Sequence, residues 1–440
     1  MGEFSVTSAL KEYALPISIV FLALFPVVLN SPKIGVWLIC FLIPISPSIV
    51  IGETEVREIT LRFEDIVFVL TAIAWMLKGM NVPKFHTGYR IFRLLIVFAL
   101  FHAISTFIFF TGKMAQIFFL FKYIQYWSYF VLAYSLLKTE EDFKALLISY
   151  FLGVSIVLIY WMFDIAQGKI GNAVRFPFHH KFAGRENVGI FSFGIMAFSL
   201  PFFLNSRGLK KVFFLVFFAA AAVVYSRTLS RASYLAGLVW IIFVLFFLRR
   251  RDLFIMTLFI IAIFPFIAPD YVIDRIKYTF TGGGGGTVIG NLYIESSGFV
   301  RIERWKYFLF DQLPTNIITI LFGFGILGVG LMDNQYLRIW GEAGTLGFVT
   351  FMLILRALWK LYFKVYRSLQ SDEFLKPATV GMICWFVGIL THMIPANTLV
   401  ILQTSEMFWL ISGSIAALEK IISQKKSQDF NGNINLLNKT

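Results

Sequence analysis

Along most of this chain the apolar positions neither alternate nor fall on one helical face; they run on without interruption. Such stretches occupy roughly 14–30, 33–50, 64–78, 94–111, 118–137, 143–165, 188–205, 212–227, 232–248 and 253–268, and then 344–362, 378–394 and 398–418. A helix of about 20 apolar residues crosses the roughly 30 Å hydrocarbon layer of a bilayer. The pattern therefore predicts an all-α polytopic membrane protein with about 12 crossings. One further apolar piece, IITILFGFGILGVGL (317–331), is short and glycine-rich, which predicts a segment that dips into the membrane rather than crossing it. No internal repeat breaks the pattern. Residues 1–440 read as a single integral membrane domain, and 269–343 as its large loop.

Composition sharpens the class. Hydrophobic residues make up 58% of the chain and charged ones 15%, against about half and a quarter in a soluble domain. Mean hydropathy is +0.77. The formal charge of +14 suggests a polyanionic partner until its distribution is considered. Lys and Arg gather in short loops such as SRGLKK (206–211), RRRD (249–252) and EKIISQKK (419–426), which is the positive-inside pattern and argues against nucleic acid. Placing 79–93, 138–144, 206–211, 249–252, 363–377 and the tail after 419 in the cytoplasm is consistent from the third span onward. Two full crossings between 14 and 50 would put the N-terminus outside and one partial crossing would keep it inside; the sequence leaves both open. The first apolar run, from about Ala14, is followed by many others and reads as a retained span. Cys40 and Cys384 lie in apolar spans, at neither disulfide-framework nor metal-ligand spacing.

With that topology 166–187, the turn SRTLSR (226–231) and 269–343 face the exterior. There Arg175, Arg185, Arg227, Arg231, Arg275, Arg301, Arg304 and Arg338 break the positive-inside rule. A guanidinium at a membrane boundary needs an anion or carbonyls. Arg227 and Arg231 are four apart and share a face if one helix runs through both; they either snorkel to headgroups or form a forked donor for a lipid phosphate. In SSGFVRIERWKYFLFDQL (296–313), Arg301 and Arg304 fall on one helix face beside Trp305, with Glu303 as an alternative ion-pair partner. In LMDNQYLRIWGEAG (331–344), Asp333 with Asn334 either caps the helix that follows or supplies a base for a sugar hydroxyl. Tyr336 would then bond or stack on sugar, and Glu342 pairs with an arginine. His179 and His180, with Arg185, Glu186 and Asn187, suit substrate contact better than metal binding. His102 and Lys122 sit inside spans, where an intramembrane hydrogen bond is one use for them, and are assigned no role. TGGGGGT (281–287) reads as a hinge or lid.

Taken as an ensemble, SRASYLAGLV, RIERWKYF, LFGFGILGVGL and DNQYLRIWGEAGTLGFVTFM, with ITLRFEDIVFVLTAIAWML (59–77) and GRENVGIFSFGIMAFSLP (184–201), resemble the O-antigen polymerase and O-antigen ligase family. The resemblance implies a GT-C-like glycosyltransferase of the bacterial inner membrane, active on its periplasmic side. It implies an undecaprenyl-diphosphate-linked glycan as donor, a glycan or lipid acceptor, and neither cofactor nor metal. Membrane lipids and a chain-length regulator protein are the expected partners. The family's arginine beside the inter-span serine matches Arg231, and its arginine before a tryptophan matches Arg301 or Arg304. The ligases carry a histidine where this chain has Asp333, which favours a polymerase over a ligase. On this reading Arg231, Arg301 and Arg304 hold the diphosphate, Arg227, Arg185, His180, Asn334 and Tyr336 contact substrate, and Asp333 is the base of an inverting transfer. A transporter of a lipid-linked glycan is the competing class, and would place polar groups near the midplane.

Overall fold

A computed structural model describes residues 23–53, 58–84, 86–177, 184–248, 270, 272–274, 286–289, 292–330, 332–369, 372–400 and 402–437. The fold is all-α and of membrane type, with two small hairpins. Helices are α1 (23–30), α2 (Pro32–Leu42), α3 (Phe63–Leu77), α4 (Thr87–Ile108), α5 (Met114–Leu136), α6 (Glu140–Ala166), α7 (Arg185–Asn205), α8 (Gly208–Arg227) and α9 (Arg231–Leu248). After them come α10 (Ser296–Tyr307), α11 (Ile317–Phe322), α12 (Gln335–Ser368), α13 (Leu375–His392) and α14 (Leu402–Leu437). Among the described residues, 6 helices are long and apolar enough to cross a membrane: α4, α6, α7, α8, α12 and α13.

Burial separates centre from periphery. The apolar windows of α7 and α13 are 89% buried, whereas that of α8 is 22% buried and presents its side chains outward. Lipid tails are as apolar as a helix surface, so close packing and hydrogen bonds, rather than exclusion from water, must hold the centre. Glycines on α7 and α13 allow it. A Cβ on Gly194 would meet the Trp385 ring, and one on Gly388 would meet the Phe193 ring.

One end of the bundle collects lysines. Lys33 Nζ pairs with Asp142 at 2.8 Å, the Tyr134 hydroxyl donates to Pro83 O at 2.9 Å, and Lys420 Nζ donates to Leu137 O at 3.0 Å. Glu419 accepts from Thr87 N at 3.1 Å and from Lys364 Nζ at 2.6 Å. The described parts of 79–93, 138–144, 363–377 and the chain after 419 thus meet at one end. Asn205, Ser206, Arg207, Leu209 and Lys210 line a cavity with Glu373 and Phe374, which brings 206–211 there too; 249–252 lie outside the described residues. The partial element near the start is α2. Its 11 residues rise only about 16 Å, and the chain then turns into a hairpin of Ser48–Glu53 (β1) against Glu58–Arg62 (β2) before α3 returns. The stretch 33–50 is therefore not one crossing helix.

The glycine-rich piece does not cross either. Among its described residues only Ile317–Phe322 is helical, and turns follow. These pack into a bend of α12 at Gly344, whose φ of 68° is left-handed. A side chain there would also collide with Leu321 O. Phe324 N donates to Gly341 O at 2.7 Å, Thr345 Oγ1 to Ile320 O at 2.8 Å, and Ser105 Oγ to Glu342 O at 2.7 Å. The small residues of GEAG are there because two backbones touch.

Candidate functional site

Three helix N-termini meet at the end opposite the lysines. The first belongs to α9. The preceding helix stops at Arg227 and Leu229 takes a left-handed φ of 53°, so Arg227 and Arg231 do not share one continuous helix. Ser230 Oγ accepts from Ser233 N at 3.3 Å, as an N-cap does, and Arg231 is the first helical residue. The second is α7, which opens on Arg185 and Glu186. A cation in the first turn opposes the helix dipole, so neither Arg185 nor Arg231 is placed for helix stability. The two starts are adjacent, since a Cβ on Gly189 would meet Ser233 and Thr228.

The third is α12. Asn334 Oδ1 accepts from Tyr336 N at 3.0 Å and from Leu337 N at 3.1 Å, so Asn334 is the cap and Asp333 stands just outside it. The cap is tethered: Gln335 N donates to Met393 O at 3.0 Å, the Tyr336 hydroxyl to Leu390 O at 2.9 Å, and Asn397 Nδ2 to Met332 O. Asn334 and the Tyr336 hydroxyl are therefore engaged in holding the chain. Asp333 is left at the surface with a 43% exposed side chain.

Arg301, on α10, joins these ends. Its Nε donates to Asp333 Oδ2 at 3.2 Å, and its Nη2 lies 4.0 Å from Glu186 Oε1. Arg185 and Arg231 lie close enough to Glu186 to act on it electrostatically. Residues 185, 186, 231, 301 and 333 thus form one group of three guanidiniums and two carboxylates, partly open to solvent. Arg304 is exposed, and Glu303 pairs with Lys306 at 3.1 Å rather than with an arginine. Trp305 packs beside Phe308, Leu313 and Met332. Arg227 ends α8 and is half-buried. Arg338 pairs with Glu342 at 2.9 Å inside the bundle, a structural pair. His179, His180, Arg275 and 281–285 lie outside the described residues; Gly286 and Thr287 open a strand, Gly286–Ile289 (β3), paired with Leu292–Glu295 (β4).

Beneath this group runs a polar core. Asn187 Nδ2 donates to Gln403 Oε1 at 2.8 Å, and Thr404 Oγ1 to Asn187 Oδ1 at 3.3 Å. Buried His392 bonds Thr398 Oγ1 at 2.7 Å and Ser233 Oγ at 3.3 Å. Three residues beyond Gln403 stands Glu406, fully buried with Arg62 and Glu64. Arg62 Nη1 lies 3.0 Å from Glu406 and 2.6 Å from Glu64, while Nη2 donates to Ile43 O at 2.6 Å. Asp65 pairs with Lys122 at 2.5 Å and accepts from Gln125 at 2.6 Å. Glu64, Asp65 and Glu406 can each offer an oxygen within 4.8 Å of the others, a spacing a cation could use, but Arg62 and Lys122 already bring positive charge there. Asp65 and Glu406 each stand 13 residues before the lysine end, at Lys78 and Glu419, or about 20 Å along a helix. The network thus lies inside the bundle, nearer the arginine end. Its sequence signal was Glu406, a lone carboxylate in the apolar stretch 398–418.

No protein-family model matches this chain, and no curated protein shows a significant match to it.

Proposed function

We propose that this chain is a membrane glycosyltransferase that moves a glycan from an undecaprenyl-diphosphate donor to an acceptor hydroxyl at the exterior face of the bacterial inner membrane. Its nearest type is an O-antigen or polysaccharide polymerase, with a ligase acting on lipid A core as the variant that uses another acceptor. On this reading the chain makes about 12 crossings in a GT-C-like arrangement, and the lysine end is cytoplasmic. One observation carries the proposal: Arg301, held between Asp333 and Glu186, sits where α7 and α9 open on Arg185 and Arg231. Helix N-termini and guanidiniums both favour an anion, and a diphosphate at the membrane surface is an anion of the right place and charge.

The chemistry follows from that placement. The acceptor oxygen attacks the anomeric carbon, the bond from that carbon to the diphosphate breaks, and the electron pair leaves with the diphosphate. Fixed cations stabilise the charge that builds on the leaving group. In the resting arrangement Arg301 covers one oxygen of Asp333. A donor that draws Arg301 onto its diphosphate uncovers that oxygen to take the acceptor proton. Donor binding thereby switches on the base, which limits reaction without donor in place.

A second reading, transport of the lipid-linked glycan, draws support from the buried Arg62–Glu64–Asp65–Glu406–Lys122 network, since transporters place charged groups within the bundle. Purified protein in detergent separates the two, because detergent leaves no membrane to cross. With a synthetic undecaprenyl-diphosphate oligosaccharide, a product ladder supports the polymerase and a single addition onto lipid A core the ligase. No covalent product under either condition would leave transport as the better account.

A further inference from the structure

The lysine end contains a feature that glycosyl transfer does not use. The start of α2, the end of α3, residues 78–84 with His86, the α5–α6 connection and α14 line an open cavity of about 730 Å³. Lys33, Lys78, Lys84, Lys138, Lys420 and His86 line it, and Asp142 is the one carboxylate among the described residues that do so. Asp142 is already engaged by Lys33 at 2.8 Å and by the backbone N–H groups of Lys138 and Thr139 at 3.0 and 3.1 Å. Lys78 and Lys420 donate to backbone carbonyls of Asn30 and Leu137, which carry no formal charge.

Positive-inside lysines alone would look different. A lysine that merely marks the cytoplasmic side reaches into water, yet Lys420 is 5% exposed. Two hydrogen-bond donors on the cavity wall, Trp75 Nε1 and Ser135 Oγ, are buried and have no hydrogen-bond partner among the described residues. A buried donor without an acceptor is costly, so both call for one. Cationic charge in excess and two unmet donors, around a volume typical of ligand pockets, describe the complement of an oxyanion.

We propose that this cavity binds a phosphate-bearing anion at the face opposite the arginine group, with Lys84, Lys138 and Lys420 facing its charge and Trp75 and Ser135 donating to its oxygens. The volume suits a phospholipid headgroup or a soluble phosphate ester of similar size. The site is separate from that of the glycan donor and stands whether or not the transfer reading holds.

The test uses delipidated, full-length protein in detergent with three probes: short-chain phosphatidylglycerol, short-chain phosphatidylcholine and glycerol 3-phosphate. Binding is read by native mass spectrometry and by the shift in melting temperature. Lys84 and Lys138 are exposed, so the double variant K84Q/K138Q folds, and it should weaken anionic-probe binding about tenfold or more. The control R207Q/K210Q removes as much charge outside this cavity and should change binding less than about twofold. Retention of phosphatidylglycerol alone identifies a lipid headgroup as the ligand, and retention of glycerol 3-phosphate identifies a soluble ester. Equal weakening by the control, no preference for phosphatidylglycerol over phosphatidylcholine with no glycerol 3-phosphate bound, or no effect of K84Q/K138Q would each overturn the proposal.

Discussion

At the scale of single residues, the arginine group assigns different jobs to neighbours that look alike. Arg301 bridges two carboxylates, while Arg304 one turn on is exposed. R301K keeps the charge but loses the planar fork, and should cut glycan transfer about 100-fold with unchanged thermal stability in detergent, as loss of one fixed donor to a developing anion does. R304K should cost far less. N334A probes the other kind of role: it removes the α12 cap and should lower stability by about 1 kcal/mol, read as a fall in melting temperature. At the opposite end, Lys420 stands past the apolar stretch 398–418. Burial, with Lys138 adding to it and Asp142 opposing, lowers its amine to about 8. Among the described residues, Lys33, Lys78, Lys84, His86, Lys138 and Asp142 line the same cavity and the Tyr134 ring lies beneath the Lys420 amine. Because a lowered lysine loses its proton as pH rises through that value, phosphate-probe affinity should fall between pH 7 and 9. K420M should remove that part of the fall.

At the scale of elements, what the sequence revealed and what it hid have physical reasons. Continuous apolar runs located α4, α6, α7, α8, α12 and α13, because a helix in lipid needs no polar face. The short glycine-rich piece before Asp333 was legible as a non-crossing segment, since glycines at 323, 325, 328 and 330 spoil a helix and suit turns. The hairpin after α2 was not legible: apolar residues from 33 to 50 satisfy helix and strand alike. The turn at 226–231 was legible from the apolar runs on either side of it, but its geometry was not, since it rests on a left-handed Leu229 held by Thr228 and Ser230. The Arg62–Glu64–Glu406 contact joins positions 344 residues apart, and no local pattern encodes such a pairing. G344A tests the bend in α12. A Cβ at that left-handed glycine is strained and meets Leu321 O, so the variant should be destabilised by well over about 1 kcal/mol, read as a lower melting temperature and poorer expression.

At the scale of the whole molecule, charge is sorted into three layers: lysines at one end, a buried ionic network within, and arginines with two carboxylates at the other end. The middle layer ties α3, α5 and α14 together, and its worth lies in completeness. Removing Arg62 as R62M leaves two buried carboxylates facing each other and should destabilise the bundle by about 3–5 kcal/mol, measured by thermal unfolding. The double variant R62M/E406Q should recover part of that loss.

The central claim is that the arginines at the α7 and α9 openings receive a diphosphate. A cryo-EM map of the protein with a non-hydrolysable undecaprenyl-diphosphate analogue tests it most directly. The account predicts phosphate oxygens within hydrogen-bonding distance of Arg301, with Arg231 or Arg185 alongside and Asp333 released. Density for the diphosphate elsewhere, with Arg301 still on Asp333, would contradict it.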